Sequence, residues 1–286
     1  MYKNGLSFNS TSLHISHEKL NLFSPYAQNF AIWSDSHLSN DEAYTSYRKC
    51  VEYSKNNGFA FSCINEANRM LLLSVEDARL LNGSLHRLEQ LKTDGVISLT
   101  LSWKGDSCIC GGWDTSLPLT TFGIDVIKHC YEYKIAVDLS HSSYEAQVQA
   151  LNFTERYETS PIFSHSNSYA VCRHKRNISD EIAKEIASRN GLIGLSLCCE
   201  HLASEASATI FSLLEHAYRF LDLGCENCLA FGCDFDGVST LPHGINSVAD
   251  MVKVYSLFTQ EFGSKITDAV FFNNSFVYFS KLLEGR

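Results

Sequence analysis

Long apolar runs are absent from this sequence. No uninterrupted hydrophobic stretch in its 286 residues approaches the length that a helix needs to cross a bilayer. The first residues, MYKNGLSFNSTSLHIS, contain no apolar core of the kind that secretory signal peptides carry. We therefore expect a protein without membrane partners, and nothing in these residues predicts export, so the expected location is cytoplasmic.

A basic excess, linkers and low-complexity segments are also absent. Lys and Arg number 23 against 32 Asp and Glu, and the formal net charge is −9. A mildly acidic chain has no overall electrostatic attraction to nucleic acid, so no such partner is predicted. Hydrophobic residues make up 45% of the chain, which is enough for a large core. We expect a single domain over residues 1–286.

Regular cysteine spacing is absent as well, although the chain has 11 cysteines. A chain of this length needs no disulfides, and reduced, buried cysteines of a cytoplasmic protein are the favoured interpretation. Cys225 and Cys228 have the spacing of a redox or zinc pair, but no second CxxC accompanies them, so a structural role is favoured. For Cys108 and Cys110, which lie near two glycines, an accessory metal or disulfide pair stays open.

Apolar, β-branched runs alternate with helical patterns along the whole chain. This alternation predicts an α/β fold of the TIM-like (β/α) barrel type, although seven strands are found where a closed barrel has eight. The predicted strands are 26–33, 70–75, 95–101, 135–141, 161–165, 192–197 and 228–233. The predicted helices are 41–56, 83–93, 121–133, 144–157, 179–190, 208–221, 248–262 and 266–283.

Two neighbouring strands each end in a histidine. KIAVDLSH ends at His141 and SPIFSHSN places His165 after its apolar core, with one helix-length segment between them. This pattern predicts a β-α-β unit whose histidines lie at the carboxyl edge of a parallel sheet. Two imidazoles there suit one divalent ion. The alternative, two strand-end histidines in ordinary hydrogen bonds, stays open on this pattern alone.

Four predicted strands end in a residue whose side chain can bind a metal ion. These residues are Glu76, His141, His165 and Asp234. Carboxylate oxygen and imidazole nitrogen are the donors that zinc and its neighbours take. Each residue has a plainer explanation, such as a helix N-terminal charge for Glu76 and a turn residue for Asp234. All four plain explanations together are less favoured than a shared metal site.

Several short blocks, in order and spacing, resemble the membrane (renal-type) dipeptidase family of zinc peptidases, including its soluble bacterial members. The blocks are VDLSH at 137–141, SHSN at 164–167, HKRN at 174–177, GCDFDG at 232–237 and LPHGI at 241–245. The resemblance implies a TIM-like barrel with two zinc ions bridged by a carboxylate and a hydroxide. It also implies a dipeptide substrate and a homodimer.

The same resemblance implies roles for five residues. Glu76 matches the bridging glutamate, and His141 and His165 match the two histidines of one zinc site. Asp234 matches the aspartate that binds the other zinc and handles the proton, so Glu76 and Asp234 are the expected catalytic residues. Arg176 matches the arginine that binds the dipeptide's terminal carboxylate. The competing interpretation of Arg176 is a surface arginine in the basic run 173–176.

Two departures from the family pattern change the expectation. The family's first strand ends in a His-x-Asp pair that supplies ligands to the second zinc, and this sequence has no such pair. We therefore expect a barrel without its first strand and about one tightly bound zinc. A tyrosine common in the family is Cys198 here, which weakens the case for ordinary dipeptide binding.

Three functions follow from the pattern and its departures. The favoured one is a zinc-dependent dipeptidase for dipeptides with a free C-terminal carboxylate, impaired by the missing ligands. The alternative is a catalytically inactive dipeptidase-like barrel that binds a peptide or metal. A third is a hydrolase of another amide or a lactone on the same scaffold.

Overall fold

The computed structural model describes residues 7–23, 26–57, 59, 61, 69–157, 160–203 and 207–284. The chain divides into two compact units, each with part of the sheet. The β1–β4 unit comprises Phe23–Glu158, and the β5–β7 unit comprises Lys3–Leu22 and Thr159–Gly285.

The sheet has seven strands in chain order within the described residues. They are β1 (Tyr26–Trp33), β2 (Arg69–Glu76), β3 (Val96–Thr100), β4 (Ala136–Asp138), β5 (Ile162–Phe163), β6 (Leu192–Leu195) and β7 (Leu229–Phe231). Every strand pair with a described register is parallel. The predicted α/β fold is confirmed, and the described part of the chain has no strand before β1. Strands β4, β5 and β7 are shorter than predicted, because the chain turns before each of the predicted site residues.

Helices connect the strands. They are α1 (His17–Leu20), α2 (Asn40–Asn56), α3 (Leu85–Thr93), α4 (Thr121–Glu132), α5 (Tyr144–Thr154), α6 (Asp180–Ser188), α7 (Cys199–Leu202), α8 (Ser212–Asp222), α9 (Met251–Asp268) and α10 (Asn274–Leu283). Short 3-10 helices span Ala78–Leu81 and Val248–Asp250. Among the described helices, none combines the length and the apolar character that crossing a membrane requires.

Local sequence determines several helix ends. Ser39 and Glu42 form a reciprocal capping box at the start of α2, as the sequence predicts. At the start of α6, the sequence Ser179-Asp180-Glu181-Ile182 predicts a second capping box, and that prediction is wrong. The Ser179 hydroxyl accepts from the Ile182 backbone N–H, but Ile182 has no side-chain acceptor or donor for the reciprocal bond.

The C-terminal helices are joined differently from the prediction. Helix α9 continues to Asp268 through Gly263, whose φ of 76° is not helical, and a π-helical turn, Ala269–Asn273, leads into α10. Glycine has no Cβ and adopts this conformation at little cost. The kink allows Phe258 and Phe271 to pack on Phe231 of β7, with ring centroids 5.3 and 4.6 Å from it.

Two glycines bring the strand ends of the β5–β7 unit close together. A Cβ on Gly194 of β6 would lie 2.0 Å from the Ser164 carbonyl oxygen. A Cβ on Gly232, directly after β7, would lie 1.6 Å from the same oxygen and 3.2 Å from the His165 Cα. Only a residue without Cβ fits at either place, so both glycines fix where the β5 end lies.

We predict that Gly232→Ala destabilises the protein by about 1–3 kcal/mol, because the added methyl group displaces the Ser164 backbone. Urea denaturation followed by circular dichroism measures the change. Ser239→Ala, at an exposed position of the same loop, is the control and should shift stability by less than about 0.5 kcal/mol. Equal midpoints for the two variants would contradict the close approach.

Candidate metal centre

Glu76 is the last residue of β2 and lies opposite Trp33 of β1 in the strand register. The next residue, Asp77, has a φ of 87°, a conformation that favours glycine. Its carboxylate accepts from the Arg79 backbone N–H at 3.1 Å and the Arg79 Nε at 2.9 Å. Burial raises the pKa of Asp77 to about 6, although Arg79 opposes that shift.

Arg79 ties this turn to the chain that leaves β1. Its guanidinium donates to the backbone carbonyls of Leu38 and Asp35, both at 2.7 Å. Three bonds to fixed backbone and side-chain oxygens hold the left-handed Asp77 in place. Because Asp77 follows Glu76 directly, this tether also fixes the backbone from which the Glu76 carboxylate extends.

His141 lies three residues beyond β4, in a turn that a buried aspartate organises. The Asp138 carboxylate accepts from the Ser140 backbone N–H at 3.0 Å and from the Thr100 hydroxyl at 2.7 Å. His141 itself has a φ of 67° and is 8% exposed. Its Nε2 lies 3.0 Å from Glu76 Oε1, so an imidazole and a carboxylate of the β1–β4 unit meet directly.

Two tryptophans line this part of the β1–β4 unit. The Trp103 ring centroid lies 6.1 Å from the His141 ring, and the Trp33 ring packs edge-on against Trp103 at 5.3 Å. Aromatic rings exclude water from one side of the pair. In such surroundings the attraction between an ion and its donors is stronger than in bulk water.

His165 follows β5 by two residues and is 8% exposed. Its Nδ1 is 2.8 Å from the Ser164 hydroxyl. A hydrogen bond at one ring nitrogen orients the ring and makes the other nitrogen, here Nε2, the candidate ligand atom. Ser164 therefore has two roles, since its carbonyl is also the atom packed against Gly194 and Gly232.

A buried network of asparagines holds the loop after His165. The Asn167 amide bonds both backbone groups of Ser196, its nitrogen to the carbonyl at 3.1 Å and its oxygen to the N–H at 3.0 Å. The Asn177 oxygen accepts from the Asn167 N–H at 3.2 Å, and the Asn177 nitrogen donates to the His201 carbonyl at 2.8 Å. Sequence reasoning gave neither asparagine a role, although both belong to the quoted blocks SHSN and HKRN.

Arg176 is buried in this loop, with 4% of its surface exposed. Its guanidinium donates to the His165 carbonyl at 3.1 Å and to the Ser166 hydroxyl at 3.4 Å. The surface-arginine interpretation is therefore wrong for Arg176, since only its neighbours Arg173 and Lys175 are exposed. The structure places its charge beside the backbone of a candidate ligand.

Asp234 lies three residues beyond β7, with a φ of 59°. Its carbonyl accepts from the N–H groups of Gly237 and Val238 at 3.0 and 3.2 Å, which closes a tight turn. A Cβ on Gly237 would lie 2.1 Å from Asp234 Oδ1, so the carboxylate folds over that glycine. Burial raises the pKa of the Cys198 thiol to about 11, and the negative charge of Asp234 adds to the shift.

One group of candidate ligands is found among the described residues. Ligand atoms of Glu76, His141 and His165 all lie within 4.8 Å of one another. One carboxylate and two buried imidazoles are donors that zinc accepts, so the residues fit such an ion. Asp234 is not in this group, and neither are the other singled-out candidates. Cys225 and Cys228 are buried free thiols, and Cys108 and Cys110 are free thiols as well.

Three solved structures share this fold at low sequence identity. A metallo peptidase from Rhodobacter sphaeroides, liganded with a phosphinate mimic of the dipeptide L-Ala-D-Ala, matches with a TM-score of 0.85 at 18% identity. The match covers 96% of this chain and 91% of that one. The metallo peptidase named dipeptidase AC matches at 0.85 and 19% identity, over 95% and 90% of the two chains.

A third structure, the probable dipeptidase PvdM from Pseudomonas aeruginosa, has a TM-score of 0.84 at 13% identity. The match covers 95% of this chain and 89% of the PvdM chain. These likenesses confirm the TIM-like α/β fold. The family model described as membrane dipeptidase (peptidase family M19) matches residues 40–273. That range contains every predicted site residue. Because the match covers most of the sequence, the chain belongs to the membrane dipeptidase family.

Proposed function

We propose that this chain is a zinc-dependent dipeptidase. The observation that carries the proposal is the group formed by Glu76, His141 and His165, whose ligand atoms lie within 4.8 Å of one another. These three residues would hold one ion and leave a coordination position open, as catalytic zinc sites do. Membership of a metallopeptidase family supports the same assignment.

The proposed substrate is a dipeptide with a free C-terminal carboxylate. Arg176 supplies a planar guanidinium, which suits a carboxylate better than a point charge does. Its contacts with His165 and Ser166 place that charge next to a proposed metal ligand. The Rhodobacter sphaeroides relative, solved with a mimic of L-Ala-D-Ala, supports a small dipeptide as the first substrate to test.

Each residue has a distinct task in the proposed reaction. Glu76, His141 and His165 would hold a zinc ion, which would supply a Lewis acid for the amide carbonyl and for water. Arg176 orients the substrate through its terminal carboxylate. Asp234 accepts the proton from the attacking water and passes it to the leaving amine.

The proposed site is tight for one ion and weak for a second. Glu76 and Asp234 are the two carboxylates proposed for the second position, and the imidazoles of the candidate group among the described residues, His141 and His165, are assigned to the first ion. Carboxylates alone make a loose site, so hydrolysis should be slow compared with a two-zinc enzyme.

We also propose that the chain forms a homodimer and that it is located in the cytoplasm. Light scattering on the purified protein tests the oligomeric state.

We predict about one tightly bound zinc per chain. His165→Asn removes one of three proposed ligands and should reduce the zinc affinity by at least the roughly 10- to 100-fold that the loss of a ligand's hydrogen-bonding partner costs. Elemental analysis after dialysis against a weak chelator measures the content. His86→Asn, on the exposed face of α3, is the matched control and should retain zinc. Equal zinc in both variants would contradict the ligand assignment, and zinc binding without hydrolysis in the unmodified chain would favour the inactive, metal-binding alternative.

We predict that Arg176→Lys raises KM for L-Ala-D-Ala about tenfold, or about 1.4 kcal/mol, because an ammonium cannot form the paired bonds of a guanidinium. Steady-state kinetics at saturating zinc measure the effect. Arg173→Lys, an exposed neighbour in the same basic run, is the control and should leave KM unchanged. Equal hydrolysis of a dipeptide and its C-terminal amide by the unmodified chain would rule out the carboxylate role.

A further inference from the structure

The turn that carries Asp234 is strained at two positions. Asp234 and Asp236 have φ values of 59° and 63°, in the left-handed region that costs non-glycine residues about 1 kcal/mol or more each. Such backbone persists where surrounding contacts over-determine it. The hydrogen bonds inside the turn, from Gly237 and Val238 to the Asp234 carbonyl, constrain Asp234 but leave Asp236 to outside contacts.

Those outside contacts come from the N-terminal segment of the same unit. The Asp236 carboxylate accepts from two successive backbone N–H groups, His14 at 2.7 Å and Ile15 at 3.0 Å, one on each oxygen. In return, the Asp236 backbone N–H donates to His14 Nδ1 at 3.0 Å. Three hydrogen bonds thus join residues 222 and 221 positions apart in the chain. The His14 ring also packs edge-on against Phe235 at 6.1 Å.

The N-terminal segment is itself anchored. The His14 carbonyl accepts from the Val248 N–H at 3.1 Å, and the Leu13 carbonyl accepts from Lys19 Nζ. The side chains of Leu13 and Ile15 are buried. The Asp236 carboxylate is therefore bonded to a segment that is itself fixed. These bonds restrict the motion of the turn that contains Asp234 and Asp236.

We propose that Asp236 is a positioning residue: by clamping the turn to the His14–Ile15 backbone, it fixes where the Asp234 carboxylate lies. The proposal rests on the proposed function for its catalytic consequence, since it assumes that Asp234 handles the proton. Its structural content, a turn immobilised by the N-terminal segment, stands on the three hydrogen bonds alone. A misplaced Asp234 lowers the rate of the chemical step and leaves substrate binding by Arg176 intact.

A competing explanation is that Asp236 occupies this position only because aspartate can adopt the left-handed backbone conformation, and that its carboxylate does not hold the turn. Aspartate is one of the few side chains that enter the left-handed region readily. Two substitutions separate the explanations. Asp236→Gly keeps and eases the left-handed backbone but removes the carboxylate, whereas Asp236→Asn keeps one acceptor oxygen and the same shape.

The experiment measures hydrogen–deuterium exchange of residues 234–238, together with kcat and KM for L-Ala-D-Ala at saturating zinc. We expect faster exchange and a kcat about 10- to 100-fold lower in Asp236→Gly, with KM unchanged, and a smaller loss in Asp236→Asn. Asp250→Asn is the matched control for Asp236→Asn, because it removes one charge from a carboxylate that also accepts from a backbone N–H, that of Asn246 at 2.8 Å. It should change neither exchange nor kcat.

Exchange in Asp236→Gly equal to that of the unmodified chain would overturn the proposal, because the clamp would then not immobilise the turn. Faster exchange without any loss of kcat would overturn the catalytic consequence. If the unmodified chain hydrolyses no dipeptide, the proposed function fails, and the exchange comparison still decides whether Asp236 holds the turn.

Discussion

Backbone strain at the strand ends is the constraint on which the site depends. A left-handed, non-glycine residue lies at or beside a proposed functional side chain after three strands: Asp77 next to Glu76, His141 itself, and Asp234 itself. Each of these residues turns the chain sharply as it leaves the sheet. Strain of this kind persists only where neighbouring contacts hold it, and such residues are typically found at functional sites.

The contacts that hold the strain differ from turn to turn. A guanidinium, that of Arg79, ties the turn after β2 to two carbonyls of the preceding connection. After β4, the Asp138 carboxylate accepts from the turn backbone and from Thr100. After β7, the support comes from the distant His14–Ile15 backbone. Each turn is thus secured by a charged side chain that bonds to polar groups in fixed positions.

Local sequence patterns predicted the strands and most helices, and they singled out candidate ligands at the strand ends. Apolar runs of strand length mark each β-strand, and Glu76, His141 and His165 stand just where such runs end. Because parallel strands share one carboxyl edge, the sequence predicts that these side chains lie close together. The family resemblance added Arg176, whose burial the sequence alone did not indicate.

The supporting contacts could not be predicted in the same way. Arg79, Asn177 and Asp236 act through partners that are distant in the chain, and no periodicity reports them. Gly232 illustrates the same limit, since its need for a missing Cβ arises from the Ser164 carbonyl, far away in sequence. The wrong capping box at Ser179 has a simpler cause, because a reciprocal box needs Glu or Gln where this chain has Ile182.

The left-handed Asp77 also bears on how the protein could be engineered. Glycine at that position would relieve the strain, which costs a non-glycine residue about 1 kcal/mol or more. The same change would remove the carboxylate that Arg79 grips and loosen the support beneath Glu76. The relieved strain and the lost Arg79 contact have opposite effects on stability, so a screen that includes glycine at this position would have to measure stability and metal retention together.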